Sequence, residues 1–113
     1  MLTIDMLRSF GANVEEGLGR CMNNEAFYLR LVGKVLDDAS FGKLETALAA
    51  GDLTAAFEAA HALKGVLGNL SLTPIFEPAS RLTELLRSRT EGDYDALLRS
   101  IQEERSKLAA LAE

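Results

Sequence analysis

The sequence is poor in several residue types, and each shortage excludes a class of protein. Its 113 residues include no tryptophan, two prolines, one cysteine and one histidine. Cys21 has no second cysteine to pair with, so an intramolecular disulfide is impossible, as is usual in a reducing cytoplasm. Flanked by Arg20 and Met22, it is typical of a core or boundary residue rather than of a nucleophile.

Long hydrophobic runs are also missing. No apolar stretch approaches the ~20 residues that are needed to span a bilayer. The start of the chain, from Met1 to Asp5, has neither a basic segment nor a long apolar one, so it does not have the pattern of a signal peptide. We therefore predict a soluble, cytoplasmic protein that has no membrane partner.

Charge and ligand content exclude further functions. A net charge of −5 leaves no basic stripe to neutralise phosphates, so nucleic acid is not expected as a partner. Zinc needs several ligands, and a di-iron site in a helical bundle needs Glu-x-x-His on two helices, whereas this chain has that motif once, at Glu58–His61. Glycine-rich phosphate loops and Ser/His/Asp sets are absent as well. We expect no metal, no cofactor and no autonomous ATP-using enzyme.

Helical signals fill almost the whole chain, and no alternating β-branched run indicates a sheet. Helix starts are predicted at capping residues, namely Thr3, Asn13, Asn23-Asn24, Asp52, Thr73 and Asp93. The helix that begins at Asn23-Asn24 is expected to continue to Gly51, with a kink near residues 40–42. Short connections imply antiparallel neighbours. The sequence predicts one all-α domain over residues 1–113, an antiparallel up-down-up-down four-helix bundle with short N-terminal helices.

The helix that carries His61 has two distinct faces when it is projected at about 100° per residue. The core face contains Ala56, Ala60, Leu63, Leu67 and Leu70. The opposite face has His61 at its centre, and within roughly 60° of it lie Thr54, Phe57, Glu58, Lys64, Gly65 and Gly68. Each of the two glycines costs about 1 kcal/mol of helix propensity relative to alanine. Because they leave bare backbone beside an exposed imidazole, this face is predicted to be one that another protein approaches closely.

The chemistry available on that face is nucleophilic. A neutral imidazole can attack a phosphoryl group and form a phosphohistidine, whose P–N bond is labile enough to pass the group onward. Lys64 lies one turn away, where its ammonium group can screen the charge of the incoming phosphate. The alternative is that His61 is a surface residue without a role, an interpretation that leaves the two glycines beside it unexplained.

These residues resemble the histidine-containing phosphotransfer (HPt) family of bacterial phosphorelays. The family motif His-x-Leu-Lys-Gly is reproduced by residues 61–65, after a Gly-Asp helix break at residues 51–52. The similarity extends into the N-terminal part of the chain, over residues 13–20 and 28–31. Some positions depart from the common pattern of the family and affect packing or partner preference: Val66, Leu67, Ser71 and Thr83.

The resemblance implies a bundle fold and a role for each motif residue. His61 would be the phosphoacceptor, Lys64 would help to neutralise the phosphate, and Gly65 and Gly68 would give a receiver domain access. It also implies that the chain has no nucleotide site, because the Mg²⁺ and the catalytic aspartate belong to the partner receiver domain.

An apolar docking patch for the partner is expected beside His61. We hypothesise that Val14, Leu18 and Met22 form it together with Phe57, and that Glu58 is an exposed contact at its edge. The alternative is that the three N-terminal residues only seal the end of the bundle.

The predicted function is that of a free-standing, monomeric phosphotransfer protein. It would accept a phosphoryl group from a receiver aspartate, or from a sensor (hybrid) histidine kinase, and donate it to the receiver domain of a response regulator. Two alternatives stay open: a phosphoacceptor domain of a chemotaxis-type kinase, and a helical adaptor in which His61 is incidental. A kinase dimerisation helix is disfavoured because Ala62 stands where an acidic residue usually follows the histidine.

Overall fold

The computed structural model describes residues 1–90 and 92–113 of the chain. Within these ranges the structure is all α-helical and contains no strand, as the sequence predicts, but it has seven helices where six are predicted. The helices are α1 (Ile4–Phe10), α2 (Val14–Arg20), α3 (Glu25–Leu36), α4 (Ser40–Ala50), α5 (Leu53–Asn69), α6 (Thr73–Ser88) and α7 (Tyr94–Ala112). None of the described helices is both long enough and apolar enough to cross a membrane.

Most helix boundaries follow from capping side chains. In five helices the residue before the first turn accepts a hydrogen bond from a backbone N–H of that turn, which is one of the four N–H groups that a helix start leaves unpaired. These residues are Thr3, Asn13, Asn24, Asp52 and Asp93. Gly11 and Gly51 end α1 and α4 with φ values of 110° and 71°, a left-handed conformation that favours glycine. The helix starts predicted at these five capping positions and the end predicted at Gly51 are confirmed.

Two predicted boundaries are wrong. The single helix expected from Asn23-Asn24 to Gly51 is divided into α3 and α4 by residues 37–39, a few residues before the expected kink. Asp38 causes the break, because its carboxylate accepts a hydrogen bond from the Ser40 N–H at 2.8 Å and so competes with the helical backbone. Thr73 is the first residue of α6 rather than its cap. The Leu72 carbonyl accepts the first bonds of that helix, from residues 75 and 76.

The α5 helix lies at the centre of the fold. It packs against α4 on one side and α6 on the other, α6 packs against α7, and α4 also contacts α7. The predicted core face of α5 is confirmed: Ala56, Ala60, Leu63, Leu67 and Leu70 are all buried. One hydrophobic core includes buried residues from all seven helices. The opposite face of α5 is therefore held in place by packing of the helix between α4 and α6.

The short helix α2 is fixed to the C-terminal end of α5 by polar contacts. The Arg20 guanidinium donates hydrogen bonds to the Gly68 carbonyl and to the Ser71 hydroxyl. The Ser71 hydroxyl in turn donates to a carboxylate oxygen of Glu16 at 2.9 Å. Ser71 has a φ of 54°, in the left-handed region that favours glycine, so its side-chain bonds help to hold an unfavourable backbone conformation.

Candidate functional site

His61 lies in the middle of α5 and is exposed to solvent. Its neighbours in sequence explain this position, since Ala60 and Leu63 are fully buried and turn the His61 side of the helix outward. The two-faced helix predicted from the periodicity is therefore present in the structure. An imidazole on a rigid, packed helix has a defined position from which it can react with a partner.

Phe57 lies one turn before His61 and stacks on it. The two ring centroids are 5.6 Å apart and the rings are inclined by 16°. The guanidinium carbon of Arg87, on α6, lies 5.1 Å from the centroid of the same Phe57 ring. Phe57 is half-buried and therefore connects the imidazole to a cation on the neighbouring helix.

Lys64 lies one turn after His61, where its side chain is predicted to meet an incoming phosphate. In the structure its Nζ lies 3.4 Å from Oε1 of Glu84 on α6. The other oxygen of that carboxylate, Oε2, lies 3.5 Å from Nε of Arg87. Beside His61 there are thus two cations that share one carboxylate.

Sequence reasoning missed Glu84 and Arg87 as residues of the site. They lie more than 20 positions after His61, and their place beside it depends on how α6 packs against α5. The spacing of three residues on one helix indicates that they pair with each other. No local signal indicates which face of α5 they meet.

The two glycines of the motif differ in their surroundings. A Cβ atom at Gly65 would have no heavy atom of another part of the fold within 4 Å, so the backbone there is open as predicted. A Cβ atom at Gly68 would lie 3.0 Å from Cε1 of Phe76. Phe76 therefore packs against Gly68 and requires a small residue there, whereas the Gly68 backbone also lines an open cavity, so its role in receiver access stays a prediction.

The predicted docking patch is only partly present. Val14 is fully buried in the core and cannot contact a partner, so its assignment to the patch is wrong. Leu18 is half-buried against the core, Met22 is 85% exposed, and Glu58 is exposed.

The position of α2 also limits that patch. The helix meets α5 at Gly68, whereas Phe57 lies on the other side of His61. Gly68 follows Phe57 by 11 positions, which corresponds to roughly 16 Å along the helix. Phe57 and the α2 residues are therefore separate surfaces on either side of His61.

An open cavity begins beside Gly65 and continues toward α2. Its volume is ≈ 440 Å³, and its lining includes Gly65, Arg20, Ser71, Phe76 and Glu77. Within residues 1–90 and 92–113 no group of three or more His, Cys, Asp and Glu side chains is arranged to hold a metal ion. The described surface that begins beside Gly65 is therefore an open face with both polar and apolar residues rather than an enclosed pocket.

Residues 38–112 match the family model of the Hpt domain. The chain belongs to the Hpt family. Hpt domains carry out histidine phosphotransfer in two-component signalling, where they are phosphocarriers rather than catalysts and interact with receiver domains and histidine kinases. The matched range contains His61 and helices α4 to α7, whereas the N-terminal similarity at residues 13–20 and 28–31 lies outside it. Neither the curated proteins nor the solved structures contain a match to this chain.

Proposed function

We propose that this Hpt domain carries a phosphoryl group on His61 between receiver domains of a phosphorelay. The observation that carries the proposal is the exposed imidazole at the centre of α5, with Lys64 one turn away and open backbone at Gly65. Its partners would be response-regulator receiver domains and a sensor hybrid histidine kinase. We further propose that the chain acts as a monomer in the cytoplasm, and that α4 to α7 run up-down-up-down.

The transfer step follows from the chemistry of an imidazole and an acyl phosphate. The unprotonated ring nitrogen of His61 forms a P–N bond to the phosphorus of the receiver's aspartyl phosphate. The P–O bond to the aspartate breaks, and its electron pair leaves with the carboxylate. The ring then carries a positive charge until its remaining N–H proton is released to water. The receiver supplies the Mg²⁺, and the reverse reaction donates the group to a second receiver.

Each neighbour of His61 has a proposed part in this step. The Lys64 ammonium is attracted to the negative phosphoryl oxygens, and the Phe57 ring restricts the orientation of the imidazole through their stacking. A glycine at position 65 lets the surface of the receiver approach the helix. The chain itself therefore provides a nucleophile and a docking face, while the partner provides the metal-dependent machinery.

The test is incubation with a receiver domain that has been phosphorylated by acetyl phosphate in the presence of Mg²⁺. The wild-type chain should gain one acid-labile, base-stable phosphate by mass spectrometry. The His61→Gln variant should gain none and should keep the wild-type circular dichroism spectrum, because His61 is exposed. Labelling by ATP and a chemotaxis-type kinase domain, with none from several receivers, would support the phosphoacceptor alternative. Signalling that survives His61→Gln would support the adaptor alternative.

A further inference from the structure

Two cations beside His61 are held by one carboxylate. Lys64 Nζ and Arg87 Nε lie 3.4 Å and 3.5 Å from the two oxygens of Glu84. The side chains of Lys64, Glu84 and Arg87 are 31%, 56% and 51% exposed, respectively. Exposed ion pairs of this kind contribute little free energy, because water solvates both partners. The cations can therefore exchange one anion for another at small cost.

Both cations lie next to His61 along the fold: Lys64 one turn after it on α5, and Arg87 against Phe57, which lies one turn before it. Lys64 follows His61 by three residues on the same helix, which places the two side chains on one face. The Arg87 guanidinium lies over the Phe57 ring, and that ring stacks on the imidazole. Arg87 thus approaches the site from α6 while Lys64 approaches it along α5.

Phosphorylation changes the charge balance of this group of residues. Before transfer, two positive side chains face the single negative charge of Glu84. A phosphoryl group brings close to two negative charges and three acceptor oxygens. It attracts Lys64 and Arg87 more strongly than a carboxylate does, and it repels Glu84.

We propose that Glu84 is an internal anion that occupies Lys64 and Arg87 until His61 is phosphorylated, and that the phosphoryl group then takes both cations from it. This inference rests on the proposed function and adds Arg87 and Glu84 as positioning residues. Because Glu84 competes for the cations and repels the phosphoryl group, it disfavours the phosphorylated state. Glu84 therefore makes phospho-His61 a better phosphoryl donor than it would be with both cations free.

The experiment is a competition between two versions of this chain for one pool of phosphoryl groups. Equal amounts of ¹⁵N-labelled wild type and an unlabelled variant are mixed with a small amount of a phosphorylated receiver domain and Mg²⁺. The receiver moves phosphoryl groups in both directions until they are at equilibrium. Mass spectrometry then gives the ratio of phosphorylated variant to phosphorylated wild type, whatever the rate at which the receiver works.

The Glu84→Gln variant should hold roughly two to five times as much phosphate as wild type, the range expected for exposed ion pairs. Arg87→Gln should hold about two to five times less. The variant with both changes should hold less phosphate than Glu84→Gln alone, because Arg87 is then missing and only Lys64 is left to bind the phosphoryl group. The Glu45→Gln variant removes an exposed carboxylate on α4 and should give a ratio of one.

Other results separate the two proposals. If wild type gains phosphate on His61 but Glu84→Gln competes equally with it, the role of Glu84 is wrong and the proposed function stands. If Glu45→Gln and Glu84→Gln shift the ratio alike, net charge rather than the ion pairs causes the effect, which also overturns the inference. If wild type gains no phosphate on His61 from any receiver, both proposals fail. A gain that disappears at about 1 M salt agrees with electrostatic competition, whereas a gain that persists there contradicts it.

Discussion

The imidazole of His61 and the ring of Phe57 lie nearly parallel on consecutive turns of α5, with centroids 5.6 Å apart. One face of the imidazole is therefore covered, while the residue as a whole stays exposed. The Arg87 guanidinium lies over the same Phe57 ring, so a single aromatic residue connects the reactive histidine with a charge on the neighbouring helix. Phe57 thus affects both the orientation of the nucleophile and the position of a cation.

Replacing Phe57 by alanine should slow phosphotransfer more than it affects folding. We expect a loss of about 1 kcal/mol in the free energy of unfolding, the range of an aromatic pair with partial burial, and a transfer rate from a phosphorylated receiver that is about tenfold lower. Transfer reactions quenched at a series of times give the rate, and urea denaturation gives the free energy of unfolding. Phe27→Ala is the matched control, because Phe27 is also half-buried and has Arg30 over its ring, but lies on α3. Equal slowing by both variants would show that Phe57 acts through stability alone.

The two glycines that follow His61 should respond differently to alanine. Gly65→Ala places a methyl group in open space, so the free energy of unfolding should rise by up to about 1 kcal/mol while transfer from a receiver becomes about tenfold slower. Gly68→Ala brings its methyl group to 3.0 Å from Phe76, so its free energy of unfolding should lie about 1 kcal/mol below that of Gly65→Ala. Denaturation curves and transfer rates of the two variants test this pair. A stabilised Gly65→Ala variant that transfers at the wild-type rate would remove Gly65 from the docking face.

The sequence predicts the parts of this fold that depend on local pattern. The 3.6-residue period of α5 predicts its buried and exposed faces, and polar residues such as Asp52 and Asp93 predict where helices begin. Contacts between helices do not follow from local pattern. Glu84 meets Lys64, and Phe76 meets Gly68, only because α6 packs against α5 in one register. No local pattern specifies that register, so neither contact can be predicted from the sequence.

The contact between Gly17 and Tyr28 should make α2 sensitive to a single methyl group. A Cβ atom at Gly17 would lie 2.6 Å from Cζ and Oη of Tyr28, a fully buried side chain that cannot move without losing its hydrogen bond to the Leu70 carbonyl. Gly17→Ala should therefore lower the free energy of unfolding by about 1–3 kcal/mol. Gly19→Ala, on the same helix, meets nothing within 4 Å and should be neutral or slightly stabilising. Thermal denaturation of the two variants tests this prediction. Equal melting temperatures would show that the contact between Gly17 and Tyr28 does not limit the residue at position 17.

The Tyr28 hydroxyl should make stability depend on pH in the alkaline range. Burial, with smaller contributions from Cys21 and Glu15, raises the pKa of Tyr28 from 10.0 to about 12. Because the folded state binds this proton more tightly than the unfolded state, the contribution is fully present below pH 10 and is lost as the pH rises toward 12. The loss amounts to about 2–3 kcal/mol in all.

Tyr28→Phe isolates that contribution. At pH 7 the free energy of unfolding of the variant should be about 1 kcal/mol lower than that of wild type, because phenylalanine has no hydroxyl to donate to the Leu70 carbonyl. Between pH 10 and 12 its free energy of unfolding should fall less steeply than that of wild type, so the difference between the two proteins shrinks and then reverses in sign. Tyr94→Phe also removes a hydroxyl that donates to a backbone carbonyl, that of Thr90, but at an exposed site, and should keep the wild-type slope. Urea denaturation at half-unit steps of pH gives the free energy of unfolding as a function of pH. Parallel plots for wild type and Tyr28→Phe would show that burial of Tyr28 does not control its ionisation.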